Sequence, residues 1–196
     1  MDKKAIRDSG RFLWSILFSW IYIPHLIILL SRKQCRKSVF TDLCRIKSQI
    51  NIHLGRWCSF IYLIHNSSYF RSIFYYRIGP LTSLLISWYR PGNAYFSISY
   101  TTQIDLGLSF YHPYSTVINA EKIGKNFTCL QCTTIGATSK GRPIIGDNVT
   151  LGANVVIIGN VRIGNNVSIG AGSVVVKDLP DNCIAVGNPA SVIKYK

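Results

Sequence analysis

Acidic side chains are scarce in this chain: 8 Asp and Glu stand against 22 Lys and Arg in 196 residues, a formal charge of +14. The shortage is sharpest in residues 1–95, which hold 3 acids beside 14 cations. Such a balance calls for an anionic partner. Other absences narrow the choice. No Lys/Arg-rich run and no recognised binding module is present, which argues against nucleic acid even though aromatics and cations mix in "YFRSIFYYRIG" (69–79). That stretch reads instead as an apolar helix with arginines snorkelling at its edges. No A-x-A pattern follows the first apolar run, which argues against a cleaved signal peptide. Nothing beyond six cysteines suggests export. "CLQC" (129–132) has metal-like spacing, yet no second pair and no nearby histidine completes four ligands, so the motif reads as packing and no metal is expected.

Charge is missing altogether from residues 12–30, "FLWSILFSWIYIPHLIILL". The run approaches the ~20 residues that span a bilayer. Pro24 and His25 interrupt it, however, and Ser15, Ser19 and Tyr22 make a thin polar stripe at helical spacing, suited to contact with protein or with the membrane interface. Four cations precede it (Lys3, Lys4, Arg7, Arg11) and four follow (Arg32, Lys33, Arg36, Lys37), so the positive-inside rule sets no orientation. An interfacial or re-entrant anchor is the first expectation, a buried helix of a helical subdomain the second, and a single span the third. His25, His53 and His65 read as packing or surface residues.

The second half is built on a beat. An aliphatic residue returns every six positions at Ile145, Leu151, Ile157, Ile163, Ile169 and Val175, and the beat runs backward through Ile135, Cys129, Ile123, Val117, Phe110, Ile104 and Ile98. A hexapeptide period signals a parallel β-helix whose short strands stack coil on coil, three steps to a coil, with Gly and Asn at the corners. Burying each inward aliphatic contributes roughly 1.5 to 3 kcal/mol before chain entropy is subtracted. Two steps are long: Phe110 to Val117 takes seven residues and Ile135 to Ile145 takes ten. Insertions in a solenoid emerge as loops, often on the binding side. The first carries "YHPY" with His112, the second "TSKGRP" with Lys140 and Arg142. The plain alternative for His112 is a surface histidine beside a Pro turn.

The ladder, the seven-residue step with its histidine, the second loop and the "KDLPDNCIAVGNPA" ending occur in the order found in hexapeptide-repeat acyltransferases. The last hundred residues resemble that family, and within it the serine acetyltransferase-like branch; the N-terminal half more weakly resembles members found with bacterial surface-polysaccharide genes. The resemblance implies a mainly β fold, a left-handed parallel β-helix over residues 96–179; with it go a helical, basic, apolar region over 1–95, membrane-associating or a helical subdomain, and a C-terminal tail over 180–196. Periodicity alone does not give that hand, since most parallel crossovers are right-handed. The resemblance also implies a homotrimer with acetyl-CoA in the groove between neighbours. His112 would be the general base, an imidazole being suited to take a hydroxyl proton at neutral pH while the oxygen attacks the thioester, and backbone N–H groups would hold the oxyanion. Ala153, Ala171 and, less closely, Ala137 match positions where the pantetheine arm passes, and Lys177 matches a lysine that meets a CoA phosphate.

The departures concern the acceptor. Where serine acetyltransferases carry an aspartate before the base, this chain has Tyr111; the aspartate that pairs with the base falls at Ser97; a second active-site histidine becomes Arg142, and the arginine before it Gly141. An aromatic and a cation suit a sugar ring and a phosphate better than a free amino acid. The sequence therefore predicts an acetyl-CoA-dependent O-acetyltransferase acting on a sugar hydroxyl of a surface-polysaccharide precursor, at the cytoplasmic face of the bacterial plasma membrane. Serine O-acetyltransferase is the first alternative and a non-catalytic trimeric assembly protein the second.

Overall fold

The computed structural model describes residues 3–196, with side chains from Asp8 onward, so the side chains of Lys3, Lys4 and Arg7 lie outside the described residues. The chain divides into two compact units that meet at Asn93 and Ala94.

The first unit is all helix: α1 Lys3–Leu17, a 3-10 turn Ser19–Tyr22, α2 Ile23–Ser31, α3 Lys33–Gln49, α4 Arg56–Asn66, α5 Ser68–Ile78 and α6 Pro80–Ser87. Pro24 sits in the first turn of α2, where its missing N–H costs nothing, so it opens a helix instead of breaking one. The axes on either side of the intervening turn are bent by 61°, and no single described helix is long and apolar enough to cross a membrane. The Ser15 and Tyr22 stripe faces protein: the Ser15 hydroxyl donates to the Cys58 carbonyl at 3.0 Å, and Tyr22 is fully buried. His25 is a core residue, with Tyr75 Oη 3.2 Å from its Nε2 and Tyr89 Oη 3.1 Å from its Nδ1. Burial, aided by the Arg71 charge, lowers its pKa to about 4, so this imidazole is neutral.

The arginines of residues 69–79 do not snorkel to water. Arg77 grips the buried Asp42 through two bonds, Nε to Oδ2 at 2.8 Å and Nη2 to Oδ1 at 3.2 Å. Arg71 donates to the Ile64 and His65 carbonyls at the end of α4 and to Pro91. Each cation satisfies groups that a helix end or the core leaves exposed to apolar surroundings.

The second unit is a three-sided parallel solenoid. Its first coil holds β1 Phe96–Ile98, β2 Gln103–Ile104 and β3 Ser109–Tyr111; the second β4 Thr116–Ile118, β5 Lys122–Ile123 and β6 Thr128–Leu130; the third β7 Thr134–Gly136, β8 Ile144–Ile145 and β9 Thr150–Leu151; the fourth β10 Val156–Ile158, β11 Arg162–Ile163 and β12 Ser168–Ile169. A last coil starts with β13 Val174–Val175, touches Ile163 through Leu179 and ends in β14 Cys183–Gly187, against which β15 Ala190–Tyr195 folds back antiparallel. Residues 180–196 thus complete the third face, β14 pairing in parallel with β12.

The inward rungs stack in three columns: Ile98, Ile118, Ile135, Ile157 and Val175 on the first face; Ile104, Ile123, Ile145 and Ile163 on the second; Phe110, Cys129, Leu151, Ile169 and Ala185 on the third. One rung differs from the sequence reading. Val117 is 45% exposed and pairs with Ser97, whereas Ile118 is fully buried and pairs with Ile98. The step that carries His112 therefore takes eight residues and the next takes five. Cys129 fills a rung, and burial pushes its thiol up to about 12, as expected of a packing cysteine. Asparagines line the corner between the second and third faces: Asn126, Asn148, Asn166 and Asn182 all take φ 57°, and their side-chain amides bond in file at 2.8 to 2.9 Å. Asn tolerates this left-handed conformation better than other residues with a Cβ.

Candidate active site

His112 follows β3 and turns the corner from the third face to the first. Higher coils make the same corner with one left-handed residue each: Cys132 (φ 57°), Asn154 (φ 57°) and Gly172 (φ 72°). Backbone bonds tie these corners together, Cys132 N to Tyr114 O at 2.7 Å, Asn154 N to Gln131 O at 3.0 Å and Gly172 N to Ala153 O at 2.8 Å. The His112 corner has two such residues, His112 and Ser115, both at φ 47°, and Tyr114 N closes the turn on His112 O at 2.6 Å. The extra residue is thus absorbed as a second left-handed step. For a residue with a Cβ, that conformation costs about 1 to 2 kcal/mol, and this corner adopts it twice where the others adopt it once.

The result is an exposed imidazole at the mouth of the corner, without a hydrogen-bond partner among the described residues. Ser97 lies outward on β1, and Glu121 is exposed beyond the far end of β4; neither bonds His112.

Tyr111, the last residue of β3 and partner of Leu130, adjoins His112 and is partly exposed. Ala153 and Ala171 stand in the same corner column as His112, one coil apart. Their backbones pack so closely that a Cβ on Gly152 would come within 2.6 Å of Ala171 N. The column is consequently a smooth backbone strip, which an extended ligand can approach.

Ala137, Arg142 and Lys177 lie elsewhere. All three occupy the corner between the first and second faces. The ten-residue step forms a small loop there, with Thr138 and Gly141 exchanging backbone bonds at 2.9 and 3.1 Å. Arg142 Nη1 reaches past the second coil to Thr101 Oγ1 at 2.7 Å, a tether that no sequence signal marks. Five or six extended residues across the first face separate the two corners by roughly 16 to 20 Å. Within one chain, then, His112, Tyr111, Ala153 and Ala171 share a corner, with Ala153 two coils and Ala171 three coils beyond His112, and Ala137, Arg142 and Lys177 lie on another.

A three-sided stack of hexapeptide coils with an exposed histidine where the beat slips defines the architectural class: a hexapeptide-repeat solenoid. Residues 142–177, within the solenoid, match the family model "Bacterial transferase hexapeptide (six repeats)". Over 101 residues it is 43% identical to an Escherichia coli K12 protein named for colanic acid biosynthesis acetyltransferase activity, WcaB, a match covering 50% of this chain and 62% of that one. Over 99 residues it is 42% identical to the mitochondrial serine acetyltransferase 3 of Arabidopsis thaliana, covering 48% of this chain and 25% of the relative. The chain therefore spans less than two thirds of either relative. Among solved structures, Neisseria gonorrhoeae serine acetyltransferase in complex with serine superposes with a TM-score of 0.68 at 29% identity, covering 86% of this chain and 73% of that one. That coverage exceeds residues 94–196 and so takes in helices of the first unit.

Proposed function

We propose that this protein is an acetyl-CoA-dependent O-acetyltransferase that acetylates a sugar hydroxyl in surface-polysaccharide synthesis, with His112 as general base. The observation that carries the reading is the His112 corner: a second left-handed residue, at an energetic cost, holds an unpartnered imidazole outward at the corner that Ala153 and Ala171 line two and three coils further on. In this scheme the ladder coils left-handedly and three copies associate, so that the corner with His112 and Tyr111 on one chain faces the corner with Ala137, Arg142 and Lys177 on the next. The pantetheine arm of acetyl-CoA then runs along the alanines, Lys177 meets a CoA phosphate, and Tyr111 and Arg142 receive the acceptor. His112 Nε2 or Nδ1 takes the acceptor hydroxyl proton as its oxygen attacks the thioester carbon; collapse expels the CoA thiolate, which recovers that proton. The 43% identity to the colanic acid relative supports a glycan acceptor. The serine complex of the Neisseria neighbour favours the second reading, serine O-acetylation. Location at the inner face of the plasma membrane, through residues 12–30, belongs to the same proposal.

The test is release of CoA thiol from acetyl-CoA by the purified protein, offered L-serine, nucleotide-linked sugars and lipid-linked glycans in turn. Turnover with a glycan acceptor that disappears in His112→Ala supports the proposal. Turnover confined to serine refutes the sugar acceptor, and undiminished turnover in His112→Ala refutes the base.

A further inference from the structure

The helical unit turns its apolar residues outward. In α1, Ser15 points into the protein while Leu13, Ile16 and Leu17 are each more than half exposed. From the 3-10 turn through α2, Trp20, Ile23, Ile27 and Leu30 follow one another at spacings of three, four and three along an exposed stripe, while Tyr22, His25 and Leu29 on the complementary side are fully buried. α6 repeats the inversion, with Ser83 and Ile86 inward and Leu81, Leu84, Leu85 and Trp88 each more than 70% exposed. Tyr89 joins the two limbs: its hydroxyl donates to the carbonyl of Ile21, next to Trp20, at 2.9 Å, and its ring lies 5.3 Å from that of Trp88. Isolated exposed aliphatics are ordinary, but a contiguous two-limbed patch marks an interaction surface.

Beside the far end of that stripe lies a basic hollow of about 890 Å³, lined by Lys33, Arg36, Lys37 and Arg56 together with Phe40 and Thr41, with no acid among its lining residues. Arg36 Nη1 reaches the carbonyl of Leu30 at 3.3 Å, which makes hollow and stripe continuous. The hollow also receives the N-terminal end of the 17-residue α3, whose peptide dipoles favour an anion.

We infer that this unit lies flat on an anionic phospholipid bilayer, with the stripe of α2, the outer face of α1 and α6 sunk at the boundary of headgroups and acyl chains and the hollow taking lipid phosphates. The inference deepens the membrane location proposed above and is independent of the acyl transfer chemistry. Charge selects the occupant. A second copy of this unit would bring 14 cations and 3 acids against the same excess in residues 1–95, whereas an anionic surface complements it. Tryptophans at the rim and a 61° bend suit a helix pair lying in the interface.

The experiment is sedimentation of the full chain with vesicles of phosphatidylcholine alone or with one third phosphatidylglycerol, at low and high salt. The variants are Trp20→Ser with Ile27→Ser, Leu84→Ser with Trp88→Ser, and Lys33→Ser with Lys37→Ser, each checked by circular dichroism and light scattering. Expected is much stronger binding to the anionic vesicles than to the neutral ones. Each apolar pair should lower partitioning at least tenfold, and the lysine pair roughly thirtyfold at low salt. Competition by inorganic pyrophosphate that displaces vesicles only from the hollow, leaving a residue of binding through the apolar face, fits the arrangement. Three results overturn it: no sedimentation with anionic vesicles, equal binding to neutral ones, or apolar variants that change the mass of the particle instead of its vesicle binding, which would assign the face to a second copy. Thiol release measured on the same samples separates this outcome from failure of the acetyltransferase reading.

Discussion

Replacing His112 should separate stability from activity in a way that only a functional histidine explains. The residue sits at φ 47°, in the left-handed region that Cys132, Asn154 and Gly172 adopt at this corner of later coils. The left-handed conformation costs a residue with a Cβ about 1 to 2 kcal/mol, and glycine loses about 0.4 to 1 kcal/mol through the greater freedom of its unfolded chain. His112→Gly should therefore be more stable than His112→Ala by up to about 1.6 kcal/mol, at most ~6 °C in Tm for a chain of this size. His112→Asn should hold at least the stability of the parent, since Asn is the residue this solenoid favours at such corners. All three should lose about 10²- to 10⁴-fold in acetyl transfer, the usual contribution of a positioned base. Thermal unfolding and thiol release, run on the same preparations, supply both axes. If His112→Ala proves as stable as His112→Gly, the corner is not strained as argued. If any of the three retains full turnover, the imidazole is not the base.

How much of this was legible depended on distance along the chain. Twelve of the thirteen rungs could be read, because an inward position in a three-sided coil must be apolar and recurs at a fixed six. The thirteenth failed at Val117 because Val117 and Ile118 are adjacent and equally apolar, and only the geometry of the preceding corner decides which points inward. The insertion at His112 was visible as a slip in the beat; that it is absorbed by a second left-handed residue was not. By resemblance Arg142 belongs to the same site as His112, and counting three steps to a coil puts the two insertions on different corners of one chain. In the helical unit no such period exists. The partner of Arg77 is Asp42, 35 residues away, and nothing local distinguishes an arginine that will be buried against a carboxylate from one that reaches water.

Asp42→Ala should destabilise the helical unit by about 3 to 5 kcal/mol, because it leaves the Arg77 guanidinium buried without its anion, while Asp42→Leu combined with Arg77→Met should recover most of that loss in denaturant unfolding. Stability should also fall with acid. His25 has its pKa lowered to about 4 in the fold and titrates near 6.5 when unfolded, so the unfolded chain binds the extra proton between those values. The stabilisation is complete above pH ~6.5 and is lost as pH drops toward about 4, by at most ~3 kcal/mol, and urea midpoints across that window measure it; a flat profile would mean the imidazole is not held neutral. The separation of the two corners yields the last prediction. If the acceptor site needs His112 of one chain and Arg142 of its neighbour, His112→Ala and Arg142→Ala are each deficient alone, yet co-expressed and allowed to form mixed trimers they regenerate sites. A site is whole only when an Arg142→Ala chain supplies its His112 to a His112→Ala chain supplying its Arg142, so random mixing restores about a quarter of wild-type turnover per site. Mixed trimers that remain as inactive as either parent would refute a site shared between His112 of one chain and Arg142 of its neighbour, and full turnover by Arg142→Ala alone would mean that Arg142, held at Thr101 a full face away from His112, has no part in the reaction.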